Sequence, residues 1–189
     1  VRSSFTWEPG IWVTSQEPSM EDPIISGVVT DVSEAKVTVR KVPDRPGVSA
    51  GLFEPLARAN VNVDMIVQNT SADGFTDISF TVPKADMKVA QSIVDDMAQK
   101  IGAAGVANDD AIAKISLVGA GMKTSPGIAA KMFRTLADND VNIQMISTST
   151  IRISVVVAAA DLERAARSLH TAFGLDSGQS YSAPLPERK

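Results

Sequence analysis

Two short loops contain the residues whose types and spacing could support chemistry. The first, Asp44-Arg45-Pro46-Gly47, leads into a helical pattern, and proline followed by glycine is typical of such a junction. The free backbone amides and the positive dipole end at Gly47–Ser49 predict a carboxylate site. Asp44 is placed to take the ammonium group of the same ligand. The loop therefore matches both charged ends of an α-amino acid.

Other kinds of chemistry have little support. The chain has no cysteine, which excludes disulfides, thiol nucleophiles and thiolate metal sites. His170 is the single histidine, so it would have to serve a catalytic triad or a His-rich metal site almost alone. The string from Gly119 to Thr124 fails the spacing of a phosphate loop. We therefore predict no catalytic residue, no metal and no cofactor in this chain; an acylphosphatase-like activity would need a catalytic Arg and Asn on a phosphate loop.

Composition indicates which kinds of partner and which cellular compartment are expected for the chain. The 189 residues are 44% hydrophobic and 21% charged, which is ordinary for one globular domain or two small ones. The net charge of -4 shows no basic excess, so we expect no nucleic acid partner. The sequence contains no run of 18 apolar residues, so it predicts no membrane-spanning helix, and we expect no membrane partner. The absence of cysteine and of an apolar signal core favours the cytoplasm.

An internal repeat organises the chain. Residues 46–66 and 126–146 align at an offset of 80, and 10 of the 21 positions are identical. Both copies contain the Pro-Gly pair, a helical apolar pattern and an Asn-containing strand. The chain therefore contains two copies of one structural unit.

Each copy follows the order of a β-α-β-β-α-β unit, the split form of the ferredoxin-like fold. In the first copy, apolar periodicity predicts strands Ala35–Val42, Val61–Val67, Phe75–Val82 and Gly105–Asn108, with a helix after Gly47 and another capped by Asp86. In the second copy it predicts strands Ala113–Gly119, Val141–Ser147 and Ile151–Val157 and helices Gly127–Asp138 and Asp161–Phe173.

The second copy lacks its last strand, because no strand pattern follows Phe173. A spare strand, Ile24–Asp31, precedes the first copy, and we predict that it completes the sheet of the second. The expected organisation is residues 24–34 as this strand, 35–112 as the first unit, 113–175 as the second and 176–189 as a flexible tail.

Specific strings carry a resemblance to a known family. The chain resembles the regulatory region of aspartate kinase, a pair of ACT domains. One departure is Thr150, where the family more often has Glu. The matching strings are VRSSF, SMED, PDRPG, VDMIVQN, TDISFTVP, KISLVGAGM and ISTSTIRISV.

The resemblance implies an α+β fold of two ferredoxin-like βαββαβ ACT domains, and residues 1–23 as a remnant of the junction with the catalytic domain. It also implies two effector sites, each made of one loop and a segment of a partner domain. The first site joins Asp44, Gly47, Val48, Ser49 and Gln68 to Asn142 and Ile143. The second joins Met122, Lys123, Ser125, Gly127, Ile128 and Ala129 to Asn62, Val63 and Asp64. Residues expected to tune the first site are Ser71, Thr76 and Ser79.

The function implied by the resemblance is feedback regulation. Threonine, lysine or both would bind as allosteric ligands and inhibit aspartate phosphorylation by a catalytic alpha chain, which would use ATP and Mg. We expect a homodimer formed through the ACT domains. The alternative is a free-standing ACT sensor that regulates another enzyme. The second loop has Thr124 where the first has Asp44, so it is expected to be empty or to bind a different effector.

Overall fold

The computed structural model describes residues 24–69, 73–120, 122, 127–177 and 181–182. Within these residues, four α-helices pack on two separate antiparallel sheets, which confirms the predicted α+β class. The strands are β1 (Ile24–Asp31), β2 (Glu34–Pro43), β3 (Ile66–Gln68), β4 (Phe75–Pro83), β5 (Gly105–Asp109), β6 (Ile112–Gly119), β7 (Met145–Thr148), β8 (Arg152–Ala158) and β9 (Tyr181–Ser182). The helices are α1 (Val48–Arg58), α2 (Met87–Ile101), α3 (Ile128–Asp138) and α4 (Leu162–Ala172).

The first unit is a four-stranded sheet in the order β3-β4-β2-β5, with α1 and α2 on one face. Alternation in β4 buries Thr76, Ile78 and Phe80 on the helix side. Phe53 of α1 meets Phe80 edge to face, with ring centroids 5.1 Å apart. The apolar faces of the helices and the sheet thus close one core.

The second unit is completed by the strand that precedes the first unit in the chain. Its sheet has the order β7-β8-β6-β1-β9, and β1 runs antiparallel to β6 from Ile25 opposite Gly119 to Asp31 opposite Lys114. Ile25 is fully buried in the core of this unit. The prediction that the N-terminal strand fills the vacant place is confirmed. In the first unit, β5 occupies the corresponding place beside β2.

Three local predictions are wrong. The strands expected to begin at Val61 and Val141 are shorter and begin at Ile66 and Met145. Asn60 and Asp140 have positive φ angles of 57° and 55°, so the chain turns sharply before each strand and the next residues approach the sheet without a regular ladder. The cap predicted for α2 is also absent, because the Asp86 side chain forms no capping hydrogen bond.

The third wrong prediction concerns the tail expected at 176–189. Within it, Tyr181 and Ser182 form β9 and pair with Ile25 and Ile24. Two residues are too few for periodicity to reveal a strand, and their pairing depends on an edge supplied by a segment more than 150 residues away in sequence.

The two units contact each other through the faces of their sheets that have no helices. In β6, Ala113, Ile115 and Leu117 enter the core under the helices, whereas Ile112 points to the opposite face. The contact contains a small apolar cluster of Met65, Ile112, Met145 and Val156, with Val67 packed against it. No helix in the described ranges is long and apolar enough to cross a membrane.

Candidate functional site

The first loop leads into the N-terminus of α1. β2 ends at Pro43, and a tight turn follows in which the Arg45 amide donates to the Pro43 carbonyl at 3.0 Å. Gly47 has a φ of 90°, in the left-handed region that favours glycine, and α1 begins at the next residue. Among the described residues, no side chain caps this helix. The Val48 amide donates to the Arg45 carbonyl at 3.4 Å and the Gly51 amide to the Gly47 carbonyl at 2.9 Å. The amides of Ser49 and Ala50, together with the positive end of the helix dipole, are the groups that this helix start offers to an anion.

The hairpin between β3 and β4 closes against this helix start. Ser49 Oγ donates to Gln68 Oε1 at 3.1 Å, and the Asp44 amide donates to the Gly74 carbonyl at 2.9 Å. Thr76 Oγ1 donates to the carbonyl of Asn69, which ties the base of the hairpin. The structure thus brings together the loop residues and Gln68, which are separated in sequence by α1.

The side chains of the first loop differ in exposure, since Asp44 is exposed and Val48 is buried. Asp44 is exposed, and its carboxylate forms no ion pair within the described residues. Val48 is 8% exposed and belongs to the core, so it offers only its backbone to a ligand. The exposed carboxylate and the helix amides are complementary to the ammonium and carboxylate groups of an amino acid.

The second loop has the same backbone plan without the acid. Gly127 has a φ of 121°, and α3 begins at Ile128 with no side-chain cap from any residue that the structure describes. The side chains of Met122 and Ile128 are buried in the core of the second unit, so neither can bind a ligand through its side chain. Ala129 packs partly against that core. Lys123 and Ser125 lie outside the described residues.

The segments expected to complete the two sites lie before β7 and β3. Asn142 is exposed and Ile143 packs against the core of the second unit. Asn62 is exposed and Val63 packs against the core of the first. No hydrogen bond or ion pair between described residues joins Asn142 or Ile143 to the first loop. The carboxylate of Asp64 is engaged by Lys114 at 2.5 Å.

The three tuning positions have different outcomes. Ser71 lies outside the described residues. Thr76 is 5% exposed and supports the hairpin from within. Ser79 pairs with Val67 across the sheet and shares a hydrogen bond of 2.9 Å with Thr38 on the helix-free face. The side chains of Ser79 and Gln68 therefore lie on opposite faces of the sheet, and a tuning role of Ser79 at the first site stays a prediction.

Comparisons with known proteins identify the family. The ACT domain pattern matches residues 36–97 and 115–173. Aspartate kinase of Pseudomonas fluorescens is 49% identical over 178 residues, which cover 94% of this chain and 43% of that protein. The ligand-free regulatory subunit of aspartate kinase from Thermus thermophilus is 36% identical, with a TM-score of 0.76 over 79% of this chain and 98% of that one. A chain from a crystal structure of aspartokinase alpha and beta subunits is 47% identical, with a TM-score of 0.75 over 80% and 99%.

This chain belongs to the aspartate kinase family and is its ACT-domain regulatory part. It spans less than half the length of the curated aspartate kinases that it matches, whereas it covers a regulatory subunit of that family almost completely. The two matched stretches coincide with the two units of the fold.

Sequence reasoning missed one charged cluster in this regulatory part of aspartate kinase. Lys114, near the start of β6, is 8% exposed and contacts three carboxylates. Its Nζ lies 2.5 Å from Asp64, 2.6 Å from Glu34 and 3.3 Å from Asp31. The sequence signal for this cluster is a lysine within an otherwise apolar strand pattern, because a buried lysine needs a charged or polar partner.

The cluster perturbs the ionisation of its members. Burial alone would lower the pKa of Lys114, but hydrogen bonds to Asp64 and Glu34 outweigh burial and raise it above the ordinary value. The hydrogen bond from Lys114 lowers the pKa of Asp64. Hydrogen bonds from Ser33 are the main reason that the pKa of Asp31 is lowered. The described part of the chain contains no group of three or more acidic or histidine side chains arranged as metal ligands.

Proposed function

We propose that this chain binds a small amino acid, threonine or lysine or both, and thereby inhibits an aspartate kinase catalytic chain. The observation that carries the proposal is the uncapped start of α1 beside the exposed Asp44. The ligand carboxylate would accept hydrogen bonds from the first amides of α1, and its ammonium group would pair with Asp44. Ser49 and Gln68, already hydrogen-bonded to each other, border the space left for its side chain.

Completion of the first site requires a second unit. Asn142 and Ile143 would come from the second unit of a partner copy, and the second loop would combine with Asn62, Val63 and Asp64. Ile66 and Ile146 support this pairing, because they occupy equivalent repeat positions on the edge strands β3 and β7 and are 51% and 43% exposed. The proposed assembly is a homodimer whose edge strands meet around the ligands.

Inhibition follows if the effector binds one arrangement of the units more tightly than another. A typical coupling free energy of about 1–3 kcal/mol corresponds to roughly a 5–150-fold change in affinity. The catalytic alpha chain, acting in the cytoplasm with ATP and Mg, would phosphorylate aspartate and would respond to the arrangement that the effector favours. The chain solved with both alpha and beta subunits supports such a partner.

Thermal unfolding with added threonine, lysine, methionine or isoleucine tests this proposal. A ligand at 100 times its Kd adds about 2.7 kcal/mol, which raises the Tm by roughly 5–10 °C for a chain of this size. Asp44→Asn should weaken binding at the first loop by about 10–150-fold, because it removes a charge-assisted hydrogen bond of about 1.5–3 kcal/mol.

The matched control is Asp95→Asn, which neutralises an exposed carboxylate on α2, away from the loop. It should leave the shift unchanged. The proposal would be contradicted if no amino acid raised the Tm, or if Asp44→Asn and Asp95→Asn gave equal shifts with the effector.

A further inference from the structure

The two units contact each other through repeat-related residues in a reciprocal way. Lys36 and Lys114 occupy equivalent places in the strings AKV and AKI, and Asp64 and Gln144 both precede a Met-Ile pair. Lys114 Nζ lies 2.5 Å from Asp64 Oδ2, and Lys36 Nζ donates to Gln144 Oε1. Each lysine therefore reaches the equivalent position of the other unit.

The apolar part of the contact has the same symmetry. Met65 and Met145, another equivalent pair, lie together in the cluster between the sheets. A contact in which position i meets j and j meets i is characteristic of a two-fold symmetric interface. The chain thus contains an internal pseudo-dimer of its two ACT units.

The two halves of this contact differ in charge. Around Lys114, three carboxylates lie within 3.3 Å, and its side chain is 10% exposed. Around Lys36, the partners are the neutral Gln144 and, at 3.7 Å, the carboxylate of Asp109 from its own unit. The carboxylates around Lys114 come from the end of β1, the start of β2 and the segment before β3, and are Asp31, Glu34 and Asp64.

We propose that Lys114 is a positioning residue that fixes the orientation of the two units and holds segment 62–64 in place, and that Lys36 is its weaker counterpart for segment 142–144. The part of this inference that concerns effectors rests on the proposed function, because segment 62–64 belongs to the proposed second site. The part that concerns orientation stands on the contacts alone.

Loss of Lys114 should disturb the contact more than loss of Lys36, because it leaves carboxylate charges without their cation. Within the described residues, Glu34 Oε2 is buried and has no hydrogen-bond partner. Removal of Lys114 would leave three carboxylates close together with their main cation gone; Arg152 is the other cation that acts on Asp64. Buried carboxylates without a partner are destabilised relative to hydrated ones, so we expect the two sheets to separate where this cluster lies. Removal of Lys36 leaves a neutral amide, which is tolerated more easily.

Pulsed electron spin resonance between labels on the two units tests the orientation. The cysteine-free chain accepts Ser92→Cys on α2 and Ala137→Cys on α3, both exposed positions. We expect Lys114→Met to broaden or shift the distance distribution, and expect Lys36→Met and Lys114→Arg to keep it close to that of the parent. The inference is overturned if Lys114→Met matches the parent or if Lys36→Met has an equal effect.

Acidification of the doubly labelled parent provides a measurement that does not depend on a variant folding. The groups facing Lys114 are Asp31, Glu34, Asp64 and, beyond Asp64, Arg152. Because the pKa values of Asp31 and Asp64 are lowered, their contribution is full above about pH 4–5 and is lost as the pH falls through the folded values. The distribution should stay constant from pH 8 to about 5 and broaden below about 4. A distribution unchanged down to the acid unfolding of the chain contradicts the inference.

Calorimetric titration with threonine and with lysine tests the effector part. In Lys114→Met we expect the affinity for one amino acid to fall by roughly 5–150-fold and the affinity for the other to stay within about twofold. Equal weakening of both, or of neither, refutes the role of Lys114 toward segment 62–64. If the parent chain binds neither amino acid, the proposed function fails, whereas the distance measurements still decide the orientation.

Discussion

At the scale of single residues, glycine at the start of each first helix sets the geometry of the candidate site. Gly47 and Gly127 stand at the same place in the repeat, with φ angles of 90° and 121°. In both loops this conformation comes directly before the first residue of the helix. The repeat identified both glycines from sequence, because a shared Pro-Gly pair implied a shared backbone requirement.

Gly47→Ala should lower the free energy of unfolding by about 1–2 kcal/mol, because an L side chain is strained at this positive φ. The strain is conformational, since an added Cβ at Gly47 has nothing within 4 Å. Gly51→Ala is the matched control within α1: it also has open space and should raise stability by about 0.5–1 kcal/mol. Urea denaturation measures the free energy of unfolding of both variants. A change of the same sign in the two variants would show that the positive φ at Gly47 is not the cause.

The Lys114 cluster shows the limit of prediction at this scale. Periodicity identified the strand that contains Lys114, but the partners Asp31, Glu34 and Asp64 lie 83, 80 and 50 residues away and are brought together only by the packing of the two units. No spacing rule in a single sequence joins them. For the same reason the sequence alone does not reveal the hydrogen bond between Ser79 and Thr38, which depends on how β2 and β4 pair.

At the scale of elements, the most informative feature is β1. Its sequence predicted a strand, and the missing last strand of the second copy predicted its place. The structure confirms that place, because β1 pairs with β6 along most of its length. Strand boundaries were less predictable, because the positive φ values at Asn60 and Asp140 delay β3 and β7 by several residues.

Ile25→Ala should destabilise the second unit by about 2–5 kcal/mol, because Ile25 is fully buried in its core. The control on the same strand is Val29→Ala, whose side chain is 55% exposed and whose loss should cost less than about 0.5 kcal/mol. Amide hydrogen exchange should report faster opening in β7 and β8 than in β3 and β4 for Ile25→Ala. Faster exchange confined to the first unit would show that β1 belongs there instead.

At the scale of the whole molecule, two copies of one unit are joined into an internal pseudo-dimer. The copies are equivalent in backbone, but they differ where ligands and charges would act: Asp44 has no acidic counterpart in the second loop, and Asp64 corresponds to Gln144. Duplication therefore supplies a symmetric frame, and substitution at a few positions gives each half a different chemistry. A pair of such units can bind two effectors that shift the arrangement of the units to different extents.

Backbone amide NMR is the most direct test of whether the start of α1 binds a small amino acid. In a titration of the isotope-labelled chain with threonine and then lysine, we expect saturable shifts of the amide signals of Gly47, Val48 and Ser49, with smaller changes along α2. The amide of Gly51, which already donates to the Gly47 carbonyl at 2.9 Å, should move less. Saturable binding that leaves the amide signals of Gly47–Ser49 unmoved, or no binding of either amino acid, would show that the start of α1 is not the effector site.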